Sequence, residues 1–305
     1  MNFSNISQNF TEKEKNDSFI YLQNFMLDKD SKNEKFFVGR LSGNEPSLCG
    51  KILSKQNIPD YLFQEMLGTA GIQFLETDDL KSYVDHYTES CINSSLLSVW
   101  SGGMYEQAKN FYNFLDKIAP NQKRICAQAL EPFYFMKEDE YKMDEYFKNK
   151  KVLIISSHKK TIESQLSIHS EIFDKSIFHE TTEFYIYKPP QQNGGNHDNN
   201  SWIYHYEIIK KELSNICKEF DFDIALVSCG GFGMITSNFI YKELNKNVMY
   251  IGGGLQLYFG IKGNRWLHHP IISKMMSDKW CSVKEEDKPK SLSKNPRLCE
   301  NSCYW

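Results

Sequence analysis

The chain reads as an α/β protein with a Rossmann-like, mostly parallel sheet and helices on both faces, and two observations carry that reading. Strands and helices alternate, as expected of parallel β-α-β units. In the segment 221–266, Ile224–Ser228 is a short, continuous apolar run of the kind buried on both faces of a sheet. Gly230, Gly231 and Gly233 follow it, then a helical pattern from about Met234 to Leu244, a second apolar run at Val248–Ile251, and Gly252-Gly253-Gly254. Open α/β sheets bind ligands outside the carboxyl ends of their strands, where backbone amides approach a phosphate with no Cβ in the way.

The other elements follow in order. Residues 1–30 are polar and weakly patterned and are expected to form an N-terminal extension with a short helix at Phe19–Met26. Residues 31–270 form the Rossmann-like domain, its halves being 31–148 and 151–270, with 271–305 as a tail. Phe36–Arg40 is the first strand, and Pro46 suits the first turn of a helix over 46–55, with another over 59–70. Asp78-Asp79 caps a helix presenting Leu80, Tyr83, Val84 and Tyr87 on one face. A strand at 96–100, a helix at 105–118 and a strand at 124–130 precede a charged linker, KEDEYKMDEYFKNKK, between the halves. Val152–Ser156 is a buried strand, 161–173 a helix, 188–201 a loop rich in turn residues and 203–220 a helix.

Composition bounds the function. At 305 residues and 40% hydrophobic content, the chain buries one large core or two modest ones. The formal net charge of −3 argues against a nucleic-acid partner. No segment approaches the ~20 apolar residues of a membrane span, and no secretory signal is visible. The eight cysteines are scattered without a CxxC pair, which fits a reduced, cytoplasmic protein, in the host cytoplasm if the source is viral. Asn- and Lys-rich stretches such as NGGNHDNN point to an AT-rich microbial or viral genome.

Candidate site residues cluster near predicted strand ends. Glu45 sits on a glycine loop, where a carboxylate can orient a sugar hydroxyl, hold Mg²⁺ or Mn²⁺, or act as general base; a plain helix N-terminal Glu favoured by the macrodipole is the alternative. Arg40 matches a diphosphate bidentately or pairs with Glu45. Glu131 and His158 each follow a strand, as catalytic groups do, with loop capping and a structural hydrogen bond as their plainer roles. Gly230, Gly231, Gly233, Gly252, Gly253 and Gly254 form a phosphate or ribose cradle or simply tight turns. GGFG is not GxGxxG, and no acid ends the next strand, which counts against NAD and weakens a methyltransferase reading. His268-His269 is not a metal pair, because adjacent side chains point apart.

Five motifs, GRLSGNE (39–45), ALEPFYF (129–135), KVLIIS (151–156), the segment 221–266 and ENSCYW (300–305), together resemble the bacterial and viral GT-D fold domain proteins. These are Rossmann-like, nucleotide-sugar-dependent glycosyltransferases of polysaccharide and glycoprotein assembly. The resemblance runs from about Phe36 to Trp305 and is densest in 221–266, where FGIKGNRW follows the YIGGG turn. It implies transfer of a sugar from a nucleotide diphosphate donor, such as a UDP-sugar, to a glycan, protein or lipid-linked acceptor, with Mn²⁺ or Mg²⁺ as metal, and leaves room for a homo-oligomer. It makes Gln256, Lys262, Arg265 and Trp266 donor-site candidates beside Arg40 and Asn44. One position departs: the family's Asp-x-Glu pair aligns Glu45 with its Glu but puts Gly43 where the Asp stands. A nucleotide-sugar-binding protein without turnover is the corresponding alternative.

Overall fold

The computed structural model describes residues 6–293, 299 and 302–305. Seven strands, β1 (Phe37–Arg40), β2 (Leu96–Val99), β3 (Arg124–Cys126), β4 (Lys151–Ser156), β5 (Glu183–Tyr187), β6 (Ile224–Ser228) and β7 (Asn247–Tyr250), form one parallel sheet in the order β3-β2-β1-β7-β6-β4-β5. The helices are α1 (Glu12–Ser31), α2 (Asn44–Leu53), α3 (Asp60–Glu65), α4 (Thr77–Asn93), α5 (Gly103–Ile118), α6 (Met143–Phe147), α7 (Lys159–Gln165), α8 (Trp202–Phe220), α9 (Gly233–Lys242), α10 (Asn264–Leu267) and α11 (Ile272–Met275). A second, two-stranded sheet pairs β8 (Ile261–Lys262) with β9 (Cys281–Ser282).

Strand side chains alternate between two cores, as the pleat requires. Val152, Ile154, Ile224, Leu226 and Met249 face the core under α1 and α6, with the segments after β7. Leu153, Ile155, Ala225, Val227 and Val248 face the core under α2, α4, α5, α8 and α9. The chain crosses under the second set whenever it steps toward β3, and under α6 and α7 whenever it steps toward β5. All crossovers therefore share one hand, the rule for parallel units. One consequence builds the site: the chain leaves the neighbouring strands β1, β7, β6 and β4 alternately toward opposite faces. The carboxyl ends of these strands are thus left uncovered between the departing segments.

Several expectations are corrected. The stretch read as a polar extension carries the 20-residue helix α1, begun by a Thr11–Glu14 capping box and burying Phe19, Leu22 and Met26. Its apolar stripe is broken because polar residues on the same face serve neighbouring backbone. Ser18 Oγ accepts from the Cys126 amide at 3.1 Å, while Gln23 donates to the Glu140 carbonyl and accepts from the Lys142 amide. The charged linker is likewise part of the fold, since α6 buries Met143, Tyr146 and Phe147. The third strand stops at Cys126; residues 127–130 turn tightly and send Ala129 and Leu130 into the core. Helical structure from α3 ends in a π-type turn over Met66–Ala70. The cap of α4 is Glu76, bonded reciprocally with Asp79, rather than the Asp pair. The edge strand β5, which pairs only with β4, lacks a continuous apolar run and was missing from the predicted elements.

The tail is anchored by Asp287, whose side chain is fully buried. It accepts from the Lys160 and Thr161 amides at 3.2 and 2.7 Å, from Thr161 Oγ1 at 2.7 Å, and from Lys188 Nζ at 3.3 Å. Removing such an acceptor strands several donors away from water. Asp287→Ala is expected to lower stability by about 3 kcal/mol, read from urea unfolding; a loss within experimental error would refute this anchoring role.

Candidate functional site

The uncovered strand ends enclose a cavity of about 240 Å³. Residues after β1 (Ser42, Asn44, Glu45), after β4 (Ser157, His158), after β6 (Cys229, Gly230) and after β7 (Gly252, Gly253) line it, with 189–193 from beyond β5 and Arg265, Tyr304 and Trp305. The cavity thus brings together Arg40, Asn44, Glu45, His158, Gly230, Gly252, Gly253 and Arg265 among the residues singled out from sequence.

Two guanidinium groups flank the cavity, each held against an aromatic face. Arg40 lies over the Trp100 ring at 5.2 Å, and Arg265 lies over Tyr304 at 5.0 Å and Trp266 at 5.7 Å. Such stacking orients the planar guanidinium by its face, and Arg265 also donates from Nη2 to Cys303 Sγ at 3.5 Å. The Arg265 amide also donates to the Cys303 carbonyl at 3.1 Å, tying the last residues to α10.

The glycines have specific tenants. At Gly252, φ is +69° and a Cβ would overlap the Arg40 guanidinium. At Gly253 a Cβ would overlap the Tyr304 ring, and at Gly254 it would lie 2.8 Å from Glu131 Oε1. The triple glycine therefore makes room for protein side chains more than it presents bare backbone. Gly231 and Gly233 do not line the cavity: a Cβ would meet Ile72 at the first and the Tyr250 ring at the second.

Glu45 is 5% exposed at the start of α2, and its carboxylate accepts from Ser42 Oγ. Among the described residues it is the one Asp or Glu of the lining, and no group of three or more His, Cys, Asp or Glu side chains converges on a metal position. From those residues a divalent ion here would have one carboxylate. At Gly43 a Cβ would meet, among the described residues, only the tips of Gln107 and Met104 at 3.4 and 3.5 Å, so sterics do not exclude an acid there.

Glu131 lies behind Gly254 and outside the lining. Burial pushes its carboxyl up to about 7, opposed by the charges of Arg40 and Arg265. His158 is 4% exposed, and burial pushes its ring down to about 4, partly offset by Asp287. The amino end of α7, which begins immediately after His158, is occupied by Asp287, so its amides are not open to phosphate.

Other candidates have structural places. Gln256 is buried and donates to the carbonyls of Ile261 and Tyr304. Lys262 pairs within the small β8–β9 sheet, and Trp266 packs into the core beneath Arg265; neither lines the cavity. Of the ENSCYW motif, Glu300 and Asn301 lie outside the described residues, whereas Tyr304 and Trp305 form a wall of the cavity. Those two aromatics, Ser42, Cys229 and the 189–193 loop escaped sequence reasoning. The aromatic pair, Ser42 and Cys229 carried a visible signal, since they lie within motifs behind the resemblance, whereas the 189–193 loop carried none. No family model, no curated protein and no solved structure matches the chain.

Because the folded carboxyl of Glu131 titrates above the unfolded one, the folded state holds an extra proton between about pH 4.5 and 7. Stability from this group is present below that window and is lost as pH rises through it. The expected loss is about 3 kcal/mol, and Glu131→Gln should flatten that part of the stability–pH curve. An unchanged slope in the variant would show that the carboxyl is not held protonated.

Proposed function

We propose that the chain binds a nucleotide diphosphate sugar at the carboxyl ends of β1, β4, β6 and β7. It transfers the sugar to a hydroxyl of a glycan, protein or lipid-linked acceptor, acting in the cytoplasm. The observation that carries this reading is one cavity holding two stacked guanidinium groups, Arg40 and Arg265, together with the buried carboxylate of Glu45.

The chemistry requires charge opposite a departing diphosphate and a base for the acceptor. Arg40 and Arg265 supply the first. Glu45, oriented by Ser42, supplies the second: the acceptor oxygen bonds the sugar carbon, the bond to the diphosphate breaks, and the hydroxyl proton passes to Glu45. Mn²⁺ or Mg²⁺ enters only as an ion carried by the donor's diphosphate against Glu45, and no step depends on it. Helix α7 offers no competing phosphate site, since Asp287 occupies its amides. The absence of an acid at residue 43 favours a second reading, a binding protein without turnover.

A panel of UDP-, GDP- and dTDP-sugars, with and without Mn²⁺, against S-adenosylmethionine and NAD, tests the class by thermal shift and calorimetry. One diphosphate sugar should bind, and Arg265→Ala should weaken it by about 10- to 100-fold. Glu45→Gln should keep binding and lower transfer by ~10²-fold or more; full transfer in that variant would remove Glu45 from the chemistry. Binding without transfer in the unmodified protein would select the second reading. No binding by any diphosphate sugar would end both.

As pH rises through about 7, ionised Glu131 competes for the arginine charge, so diphosphate affinity should fall across that range and become flat in Glu131→Gln. Affinity rising across that range would be the wrong sign for this arrangement.

A further inference from the structure

Among the described residues, three buried polar atoms on residues of the cavity wall have no hydrogen-bond partner: Nε2 of His158, Nε1 of Trp305 and Nε2 of Gln191. The His158 and Trp305 rings lie side by side, centroids 6.2 Å apart. Unpartnered indole nitrogens of Trp266 and Trp280 belong to the core and not to the cavity. A buried polar group without a partner costs about 1–3 kcal/mol, so on one wall three such groups are a place where a ligand's polar atoms would be stabilising.

Their chemistry says what that ligand offers. A backbone contact with Tyr304 favours a proton on the His158 ring. Nε2 is the unpartnered nitrogen, which assigns that proton to Nδ1 and leaves Nε2 with a lone pair. Burial keeps the ring neutral near pH 7. The wall therefore presents one acceptor, His158 Nε2, and two donors, the Trp305 indole N–H and the Gln191 amide. A phosphate oxygen only accepts and is repelled by the lone pair; an ammonium only donates. Hydroxyl groups do both, and the carbon face of a sugar ring packs on an indole.

We propose that His158, Trp305 and Gln191 form a hydroxyl-reading subsite for a sugar ring, apart from the arginines that face the diphosphate. His158 is then a positioning and recognition residue and not the base. The proposal rests on the sugar-transfer reading for its ligand class, but its residues are not those assigned to the diphosphate or to proton transfer.

Two measurements on the full chain test it. Calorimetry compares each sugar of the panel with its nucleotide diphosphate alone. His158→Asn keeps a donor near Nδ1 and deletes Nε2, and Trp305→Phe keeps a ring and deletes the N–H. Each should weaken the nucleotide sugar, or a methyl glycoside if the subsite is the acceptor's, about five- to tenfold while leaving the diphosphate unchanged; equal loss for the diphosphate, or no loss for either sugar ligand, overturns the subsite. The second measurement is ¹⁵N NMR of labelled histidine. The free protein should show an unbonded Nε2, shifted by a nucleotide sugar if the ring belongs to the donor, or by methyl glycosides if it belongs to the acceptor. If no diphosphate sugar binds, the donor reading fails, and the methyl glycoside titration alone decides the subsite. An Nε2 that no sugar shifts, including one already bonded to a retained water, overturns it.

Discussion

Three side chains from distant parts of the chain occupy the space that residues 252–254 leave empty. Arg40 arrives from the end of β1, Glu131 from the turn after β3, and Tyr304 from the last residues. Each lies where a Cβ would otherwise be, so a methyl group at any of the three positions displaces a charged or aromatic group. The run after β7 is thus the fixed point about which the site is assembled. Tyr304 in turn supports the Arg265 guanidinium, and its carbonyl takes a bond from Gln256. A loop chosen for closeness to phosphate would expose its amides; this one is chosen for closeness to its own protein.

Charge at the site follows from that packing. Glu131 is buried deeply enough to favour its neutral form, even with two arginines near it. Below about pH 7 Glu131 therefore adds little negative charge beside the two guanidinium groups. Asp287, by contrast, is buried where amides, a hydroxyl and an ammonium all donate to it. Three buried acids thus serve three ends: Glu131 sits against the arginines, Asp287 anchors the tail and closes α7, and Glu45 remains with Ser42 in the cavity. The positive end of the cavity lies between β1 and the segment after β7, and the neutral, hydrogen-bonding end lies by β4.

Legibility in the sequence followed burial. The strands β4, β6 and β7 are buried on both faces, so nearly every residue is apolar and the run announces itself. With the glycines after them, they gave the α/β class and the part of the chain that carries strand ends. Edge strand β5 is half exposed and mixes polar with apolar positions, so its period is weak. The short helix expected at Phe19–Met26 lies inside α1, and the rest of α1 was hidden for another reason: Ser18 and Gln23 sit on its buried face to satisfy backbone of other loops, a need no local pattern expresses. Arg40, Glu45 and His158 were found because each follows a strand directly. Trp305 and Gln191 were not, because what brings them to the cavity is the path of the tail and of the β5–α8 loop, fixed by long-range contacts.

The same distinction separates two kinds of glycine evidence. A glycine after a parallel strand is required whenever the turn needs φ above zero or a neighbour sits too close, and neither requirement names the neighbour. At Gly230 the neighbour is the Ala70 carbonyl, 2.6 Å from a built Cβ, so the position serves contact between two loops. At Gly252 it is the guanidinium of Arg40, so the position serves the site. Both are glycine turns in sequence, and only the second bears on ligand charge. Positive charge at this end of the cavity therefore comes from the arginines that the glycines accommodate and not from the glycines. It depends on Arg40 and Arg265 being held flat against aromatic rings, with the carboxyl of Glu131 raised to about 7 behind them, more than on any motif in the turn.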